Sequence, residues 1–145
     1  PFGHGLSYTT FEYSGLELQK AARANESVEM SLRVRNTGDV AGDEVVQLYI
    51  RDVAASVAQP VKSLKAFARV SLQPGEEKTV RFAMPVNLLA FCGQEMTPIV
   101  EPGTVEVMIG SSSEDIRLTG AFEIEGETRE VDAPWGVLET DSRVE

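Results

Sequence analysis

The sequence contains one histidine, His4, and one cysteine, Cys92, which restricts the chemistry open to it. A single histidine excludes a zinc site built on histidine pairs, and a single cysteine excludes a disulfide within the chain. His4 lies between Gly3 and Gly5, where a flexible backbone positions a general base poorly. Cys92 has apolar neighbours and no activating base beside it in the sequence, which is typical of an inert thiol. We therefore expect no catalytic residue, no metal and no cofactor.

Paired carboxylates are the remaining candidates for chemistry. Glycoside hydrolysis needs two carboxyl groups about 5–10 Å apart across a sugar-binding cleft. The sequence has adjacent acids at Glu76–Glu77 and Glu114–Asp115, but both pairs lie in predicted turns, where solvated acids are the norm. Asp39, Asp43 and Asp52 lack the alternating oxygen ligands of a calcium loop. The residues alone predict no active site.

The composition is that of an ordinary acidic globular protein. The 145 residues include 23 acidic and 13 basic side chains, which gives a net charge of −10. This charge repels phosphate backbones and anionic lipids, so we expect neither a nucleic-acid partner nor a membrane partner. No apolar run approaches the roughly 18 residues of a membrane span, and no signal peptide opens the sequence. Because the first residue is Pro1, we expect a processed chain or a fragment, and the localisation stays undetermined.

Apolar and polar residues alternate along most of the chain, as in half-buried β-strands. The alternation predicts strands at Val28–Arg35, Glu44–Arg51, Val80–Met84, Val105–Ile109 and Ile116–Ile124, with further strands at Phe11–Leu18 and Leu64–Leu72. The inward faces of these strands predict one core that contains Val34, Leu48, Phe82 and Val107. On the outward faces, Tyr49 is the one aromatic residue of a regularly alternating strand.

About seven short strands separated by Pro-Gly and Asn-Gly turns predict an all-β fold. A sandwich of two antiparallel sheets is the favoured architecture, and a closed barrel is the alternative. Residues 11–125 form this domain. Residues 1–10 are rich in glycine and aromatic residues without alternation, so we interpret them as a linker. Residues 126–145 carry six acids and two arginines and are predicted to form an acidic tail.

Several stretches are more specific than the strand pattern. They are PFGHGLSYTTF (1–11), VRNTGDVAGDEVVQLYIRD (34–52), PVKSLKAF (60–67), LQPGE (72–76), EPG (101–103) and GSSSEDI (110–116). In this order and spacing they resemble the C-terminal fibronectin type III-like domain of glycoside hydrolase family 3 β-glucosidases and β-xylosidases. The resemblance covers about residues 1–125. Ala66 and Cys92 depart from it, because the family often has glycine and an aromatic residue at these positions.

The resemblance implies a fibronectin type III/immunoglobulin-like β-sandwich and a non-catalytic, accessory role. Family members hydrolyse terminal β-linked sugars with an aspartate nucleophile and a glutamate acid/base outside this domain, and no position here matches either residue. The implied partners are the catalytic domains of a parent chain, on which this domain would pack and which it would stabilise. Two alternatives stay open: a binding module for polysaccharide or another cell-wall polymer, and a loop such as Val53–Gln59 at the rim of the parent's active site.

Aromatic residues are concentrated before the first regularly alternating strand. Phe2, Tyr8, Phe11 and Tyr13 are four of only ten aromatic residues. Large rings with few rotatable bonds suit interfaces between domains. We predict that these four residues contact the catalytic domains, Phe2 and Tyr8 above all, because a glycine-rich linker provides little core to cover them. Packing on their own sandwich is the alternative for Phe11 and Tyr13.

Overall fold

The computed structural model describes residues 9–52, 63–89, 91–92, 98–127, 129–130 and 141–145. In chain order its strands are β1 (Phe11–Leu18), β2 (Ala21–Ala22), β3 (Ser27–Asn36), β4 (Gly42–Asp52), β5 (Ser63–Leu72), β6 (Glu77–Pro85), β7 (Phe91–Cys92), β8 (Pro98–Val100), β9 (Gly103–Ser112), β10 (Asp115–Ile124), β11 (Arg129–Glu130) and β12 (Asp141–Val144). A 3₁₀ turn at Val86–Leu89 follows β6. Within the described residues, no helix is long and apolar enough to cross a membrane.

The long strands form two sheets, as expected for a sandwich. One sheet has the order β1-β3-β6-β12, and the other has the order β2-β10-β9-β4-β5. A small third sheet has the order β11-β8-β7. The long strands pair antiparallel, whereas the two-residue β2 runs parallel to β10. The all-β prediction and the sandwich architecture are confirmed, since the two sheets are separate rather than closed into one barrel.

The core lies between the two main sheets and contains the residues that the alternation placed inward. Val34, Leu48 and Val107 are fully buried, and Phe82 is 1% exposed. They belong to one continuous apolar cluster with side chains from both sheets. Every second side chain of a strand points to the same face, so an alternating sequence on each sheet suffices to build this core.

Glycine marks a close approach in β10. A Cβ atom at Gly120 would lie 2.9 Å from Cδ2 of Leu18, which belongs to the end of β1. The structure therefore shows a close approach of the Leu18 side chain to the backbone at Gly120. The shifts in register between β9 and β10 lie earlier, between Asp115 and Leu118.

One prediction about the outer face of β4, the exposure of Tyr49, is wrong. Tyr49 was expected to project from the sandwich, but it is only 7% exposed. Its hydroxyl donates a hydrogen bond to Oε1 of Gln47, whose Nε2 donates to the carbonyl of Ser111 at 3.1 Å. The reason is position in the sheet: β4 lies between β5 and β9, so Tyr49 is flanked by Leu64 and Met108. An outward direction in a central strand does not by itself give exposure.

Candidate interdomain site

Two of the four predicted contact residues lie in the first strand. Phe11 and Tyr13 occupy alternate positions of β1, are each 8% exposed and belong to the apolar core. Phe2 and Tyr8 lie outside the described residues. The structure therefore brings Phe11 and Tyr13 together on the inner face of β1, and the predicted contact of all four with other domains stays a prediction.

The start of β1 is fixed to the opposite sheet by Arg117 of β10. Its Nη1 donates a hydrogen bond of 2.7 Å to the carbonyl of Phe11. The same guanidinium lies 4.9 Å from the centre of the Tyr13 ring, a cation–π distance. Asp115 accepts from Nη2 of Arg117 at 2.8 Å, which orients the guanidinium. The start of β1 is therefore connected to both main sheets: it is a strand of one sheet, and Arg117 binds it to the other.

A second group of hydrogen bonds, the Asn36 cluster, binds the residues just before β1. Asn36 ends β3 and is fully buried. Its Oδ1 accepts from Oγ1 of Thr9 and from the amide of Gly38, each at 2.9 Å. Its Nδ2 donates to the carbonyls of Val40 and Leu72 at 2.9 and 3.1 Å. One side chain therefore connects Thr9, the turn before β4 and the end of β5, and both hydrogens of its amide group are used.

Backbone contacts extend the Asn36 cluster to the next residue. The amide of Thr37 donates to the carbonyl of Thr10 at 2.9 Å, and the two threonine hydroxyls lie 2.8 Å apart. Position 38 has no room for a side chain, because a Cβ atom there would collide with Oγ1 of Thr9. A Cβ at Gly42 would lie 2.8 Å from Cγ2 of Thr9. The turn that carries Gly38 and Gly42 is therefore shaped to receive Thr9.

Ionisable groups beside the start of β1 are perturbed by burial. Glu44 of β4 is 7% exposed, and this desolvation raises the pKa of its carboxyl. Burial, followed by the negative charge of Glu44, raises the pKa of the Tyr13 hydroxyl. Hydrogen bonding to Asp115 raises the pKa of Arg117 and keeps it charged. Glu44 thus lies near the permanent cation of Arg117 and near the more exposed carboxyl of Asp115, whose negative charge adds to the rise in the pKa of Glu44.

Two of the other acids considered for chemistry, Glu76 and Asp43, accept hydrogen bonds within the sandwich. Glu76 accepts a hydrogen bond from the amide of Gln73 at 2.9 Å and so closes the turn before β6. Asp43 accepts from Oγ of Ser71 at 2.8 Å. Cys92 is in β7, and His4 lies outside the described residues. Within the described part of the chain, no group of three or more His, Cys, Asp or Glu side chains is placed to hold a metal ion.

A groove of about 550 Å³ crosses the outer face of the four-stranded sheet. Its walls include Glu17, Glu29, Arg81 and Arg143, with Ser31 between them. Ser31 is only 8% exposed, although the alternation had placed it outward. Phe82 is the one aromatic residue among the lining residues that the structure describes, and it is buried. Among the residues that the structure describes, the groove therefore has no exposed ring on which a sugar could stack.

The sequence pattern did not predict the contact between Thr9 and Asn36. It indicated a turn at Asn36 and placed Thr9 in the segment interpreted as a linker. Their contact joins positions 27 residues apart, so no local spacing reveals it. The sequence contained one signal for this contact, the joint occurrence of two specific stretches. Residues 1–11 contain Thr9, and residues 34–52 contain Asn36 and Gly38.

Comparison with known proteins places these motifs in context. Residues 44–113 match the family model described as "Fibronectin type III-like domain". Over 120 residues the chain is 46% identical to a putative β-xylosidase of Formosa agariphila. The aligned region covers 82% of this chain and 16% of that protein. It is 47% identical over 125 residues to the β-glucosidase BoGH3A of Bacteroides ovatus, covering 85% of this chain and 17% of that protein.

Solved structures show the same relationship. The β-glucosidase of Listeria innocua in complex with glucose superimposes with a TM-score of 0.80 at 42% identity and covers 88% of this chain. The match takes up only 18% of the Listeria protein. This chain thus spans less than a fifth of the length of these relatives.

Proposed function

This chain belongs to the fibronectin type III-like domains of glycoside hydrolase family 3 proteins, and we propose that it is a non-catalytic accessory domain of a β-glucosidase-like enzyme. In this role it packs on the catalytic domains of the parent chain and stabilises them. The parent hydrolyses O-glycosyl bonds, and this domain supplies no group to that reaction.

The observation that carries the proposal is the Asn36 cluster. A stiff connection limits the relative motion of two domains and so helps an accessory domain to stay packed on its neighbour. Thr9 and Thr10 are bound to the turn before β4 by side-chain and backbone hydrogen bonds. Thr9 and Thr10 are therefore held against the sandwich, and this attachment supports the proposal that Phe2 and Tyr8 dock on a neighbouring domain.

The alternatives have less support. A polysaccharide-binding module typically needs an exposed row of aromatic residues, and Tyr49, the one ring that the sequence placed on the outer face of a regularly alternating strand, is buried. Phe67 of β5 is 56% exposed, but one ring does not make the row of aromatic residues typical of sugar-binding modules. The rim-loop alternative concerns Val53–Gln59, which lies outside the described residues.

The proposal is tested with the parent enzyme and with this chain alone. Thr9→Val removes the donor to Asn36 at almost constant volume, and we expect it to shorten the half-life of β-glucosidase activity on heating while the rate at low temperature is unchanged. Thr104→Val is the matched control, because Thr104, at the start of β9, donates an exposed hydrogen bond to Glu123 of β10 and is not part of the Asn36 cluster. Equal half-lives for the two variants would contradict the proposed stiff connection.

A second arm addresses catalysis directly. The chain alone should release no nitrophenol from aryl β-glucosides while it shows a cooperative thermal melt. Turnover that disappears on changing a carboxylate within this chain would overturn the non-catalytic assignment.

A further inference from the structure

Strand β5 presents two large apolar side chains to solvent. Phe67 is 56% exposed, and Leu64 is 44% exposed. Strand β5 is the last strand of the five-stranded sheet, in which it pairs with β4. Both residues lie in the stretch 60–67, which carries part of the family resemblance, yet neither belongs to the apolar core. The core therefore does not explain why these two positions are apolar.

A β-bulge puts both side chains on the same face of the sheet. Phe67 lies opposite Gln47 of β4, and Leu64 lies opposite Tyr49, so both share the outer face with these residues. In a regular strand, residues three apart would face opposite sides. The register with β4 shifts between Leu64 and Phe67, which leaves Lys65 as the extra residue and restores the common face. We call Leu64, Lys65 and Phe67 the β5 patch.

The side chains beside the β5 patch are hydrogen-bonded to each other. Gln47 and Tyr49 are buried, and the Tyr49 hydroxyl donates to Gln47. Lys65 is partly buried, which lowers the pKa of its ammonium, and it belongs to none of the ion pairs among the described residues. A partner that covers the β5 patch therefore meets two apolar side chains and one cation. An apolar surface that carries a carboxylate fits this chemistry.

The outer face of the other main sheet does not offer such a surface. The groove that crosses it is walled by Glu17, Glu29, Arg81 and Arg143. Single exposed apolar side chains are common on any protein, whereas neighbouring ones on one face mark a contact surface. In the described part of the chain, two of the four large apolar side chains that are exposed belong to the β5 patch.

The linker is long enough to bring a preceding domain to the β5 patch. Asn36 binds both Thr9 and the carbonyl of Leu72, so residue 9 lies beside the end of β5. Phe67 precedes Leu72 by five residues of this strand, which corresponds to about 17 Å. Residues 1–8 span at most about 26–29 Å when they are extended. A domain attached through them therefore reaches the β5 patch while Thr9 stays bound.

We propose that the β5 patch is the surface through which this domain packs on the catalytic domains of the parent chain. The inference rests on the proposed accessory role, since it names the face of the sandwich that performs it. The catalytic domains present an apolar surface to Leu64 and Phe67 and a carboxylate to Lys65. Contacts between domains of one chain bury about 600–1,500 Å², so the β5 patch forms the centre of a larger contact.

Hydroxyl-radical footprinting tests the proposal on unaltered proteins, the parent enzyme and this chain alone. Leu64 and Phe67 are exposed in this chain, so radicals reach them readily. In the parent we expect both to be oxidised at least about fivefold more slowly, because the centre of a packed contact excludes solvent. Val40, which is 49% exposed in the turn before β4, is the control and should react at similar rates in both proteins. Equal rates for Leu64 and Phe67 in the two proteins would overturn the proposal.

Paired substitutions separate this surface from the accessory role itself. Phe67→Asp should lower the midpoint of thermal unfolding of the parent by at least about 3 °C more than that of this chain alone. Val40→Asp introduces the same charge at a similarly exposed position and should shift both proteins equally. If Phe67→Asp shifts both equally while Phe2→Ala with Tyr8→Ala still destabilises the parent more, the β5 patch is not the packing surface and the accessory role stands. If neither change distinguishes the two proteins, both proposals fail.

Discussion

Replacing Asn36 by alanine removes the centre of the hydrogen-bond cluster that holds Thr9 and Thr10 against the sandwich. The substitution deletes two accepted and two donated hydrogen bonds. The carbonyl of Leu72 receives its bond in a buried position, and leaving a buried acceptor unpaired costs about 1–3 kcal/mol. The other three bonds are partly open to water, which replaces them at smaller cost. We expect Asn36→Ala to lower the free energy of unfolding by about 2–4 kcal/mol.

Urea unfolding followed by circular dichroism measures this loss, provided that the slope with urea is unchanged. A loss below about 0.5 kcal/mol would refute the reasoning, because it would mean that water or neighbouring groups satisfy the cluster without Asn36.

Asn36→Asp distinguishes the hydrogen bonds from the volume of the side chain. Aspartate keeps the acceptor for Thr9 and Gly38 but points a buried carboxylate at the carbonyls of Val40 and Leu72. Repulsion and burial raise the pKa of the new carboxyl in the folded state, so its stabilising protonated form is lost as the pH rises through that pKa. We expect Asn36→Asp to be least stable at neutral pH and to recover toward acid. A variant whose stability relative to the unaltered chain does not change with pH would contradict this placement of Nδ2.

Two further predictions test the core and the buried acid. Phe82→Ala should cost about 3–5 kcal/mol in the same urea assay, because the ring is 1% exposed, and a loss below about 1 kcal/mol would contradict its place in the core. Glu44→Gln should remove a contribution to stability that depends on pH. Burial raises the pKa of Glu44, so the native state binds its proton more tightly than the unfolded state does. The carboxyl therefore favours folding more as the pH falls. The stability of the unaltered chain minus that of Glu44→Gln should therefore rise toward acid, and a difference that rises toward alkali would contradict the assignment.

The alternation of residue types was enough to predict the sandwich. Val28–Arg35 and Val80–Met84 alternate so regularly that their inward faces follow from the sequence, and the structure places those faces in one core. The same periodicity puts Phe11 and Tyr13 on one face of β1. It failed at Tyr49 and Ser31, because exposure of an outward side chain depends on neighbouring strands as well as on direction.

The sites depend on contacts that no local pattern encodes. The hydrogen bonds of Asn36 join it to Thr9, 27 residues earlier in the chain, and to Leu72, 36 residues later. The four residues of β12 have no alternation of their own, and their place on β6 follows from backbone pairing with a distant strand. Long-range pairing of this kind is set by the whole fold, so a sequence read in short windows does not reveal it.

The central claim, that this domain packs on catalytic domains through its linker aromatics, is tested most directly by one comparison of thermal unfolding. Phe2→Ala together with Tyr8→Ala is introduced into the parent enzyme and into this chain alone, and the midpoint of unfolding is measured for both. Each ring contributes about 2 kcal/mol if it is a buried anchor at an interface. The account predicts a clear loss of thermal stability in the parent and a smaller loss in the isolated chain. Equal losses in the two proteins would contradict it, because the rings would then serve only their own domain.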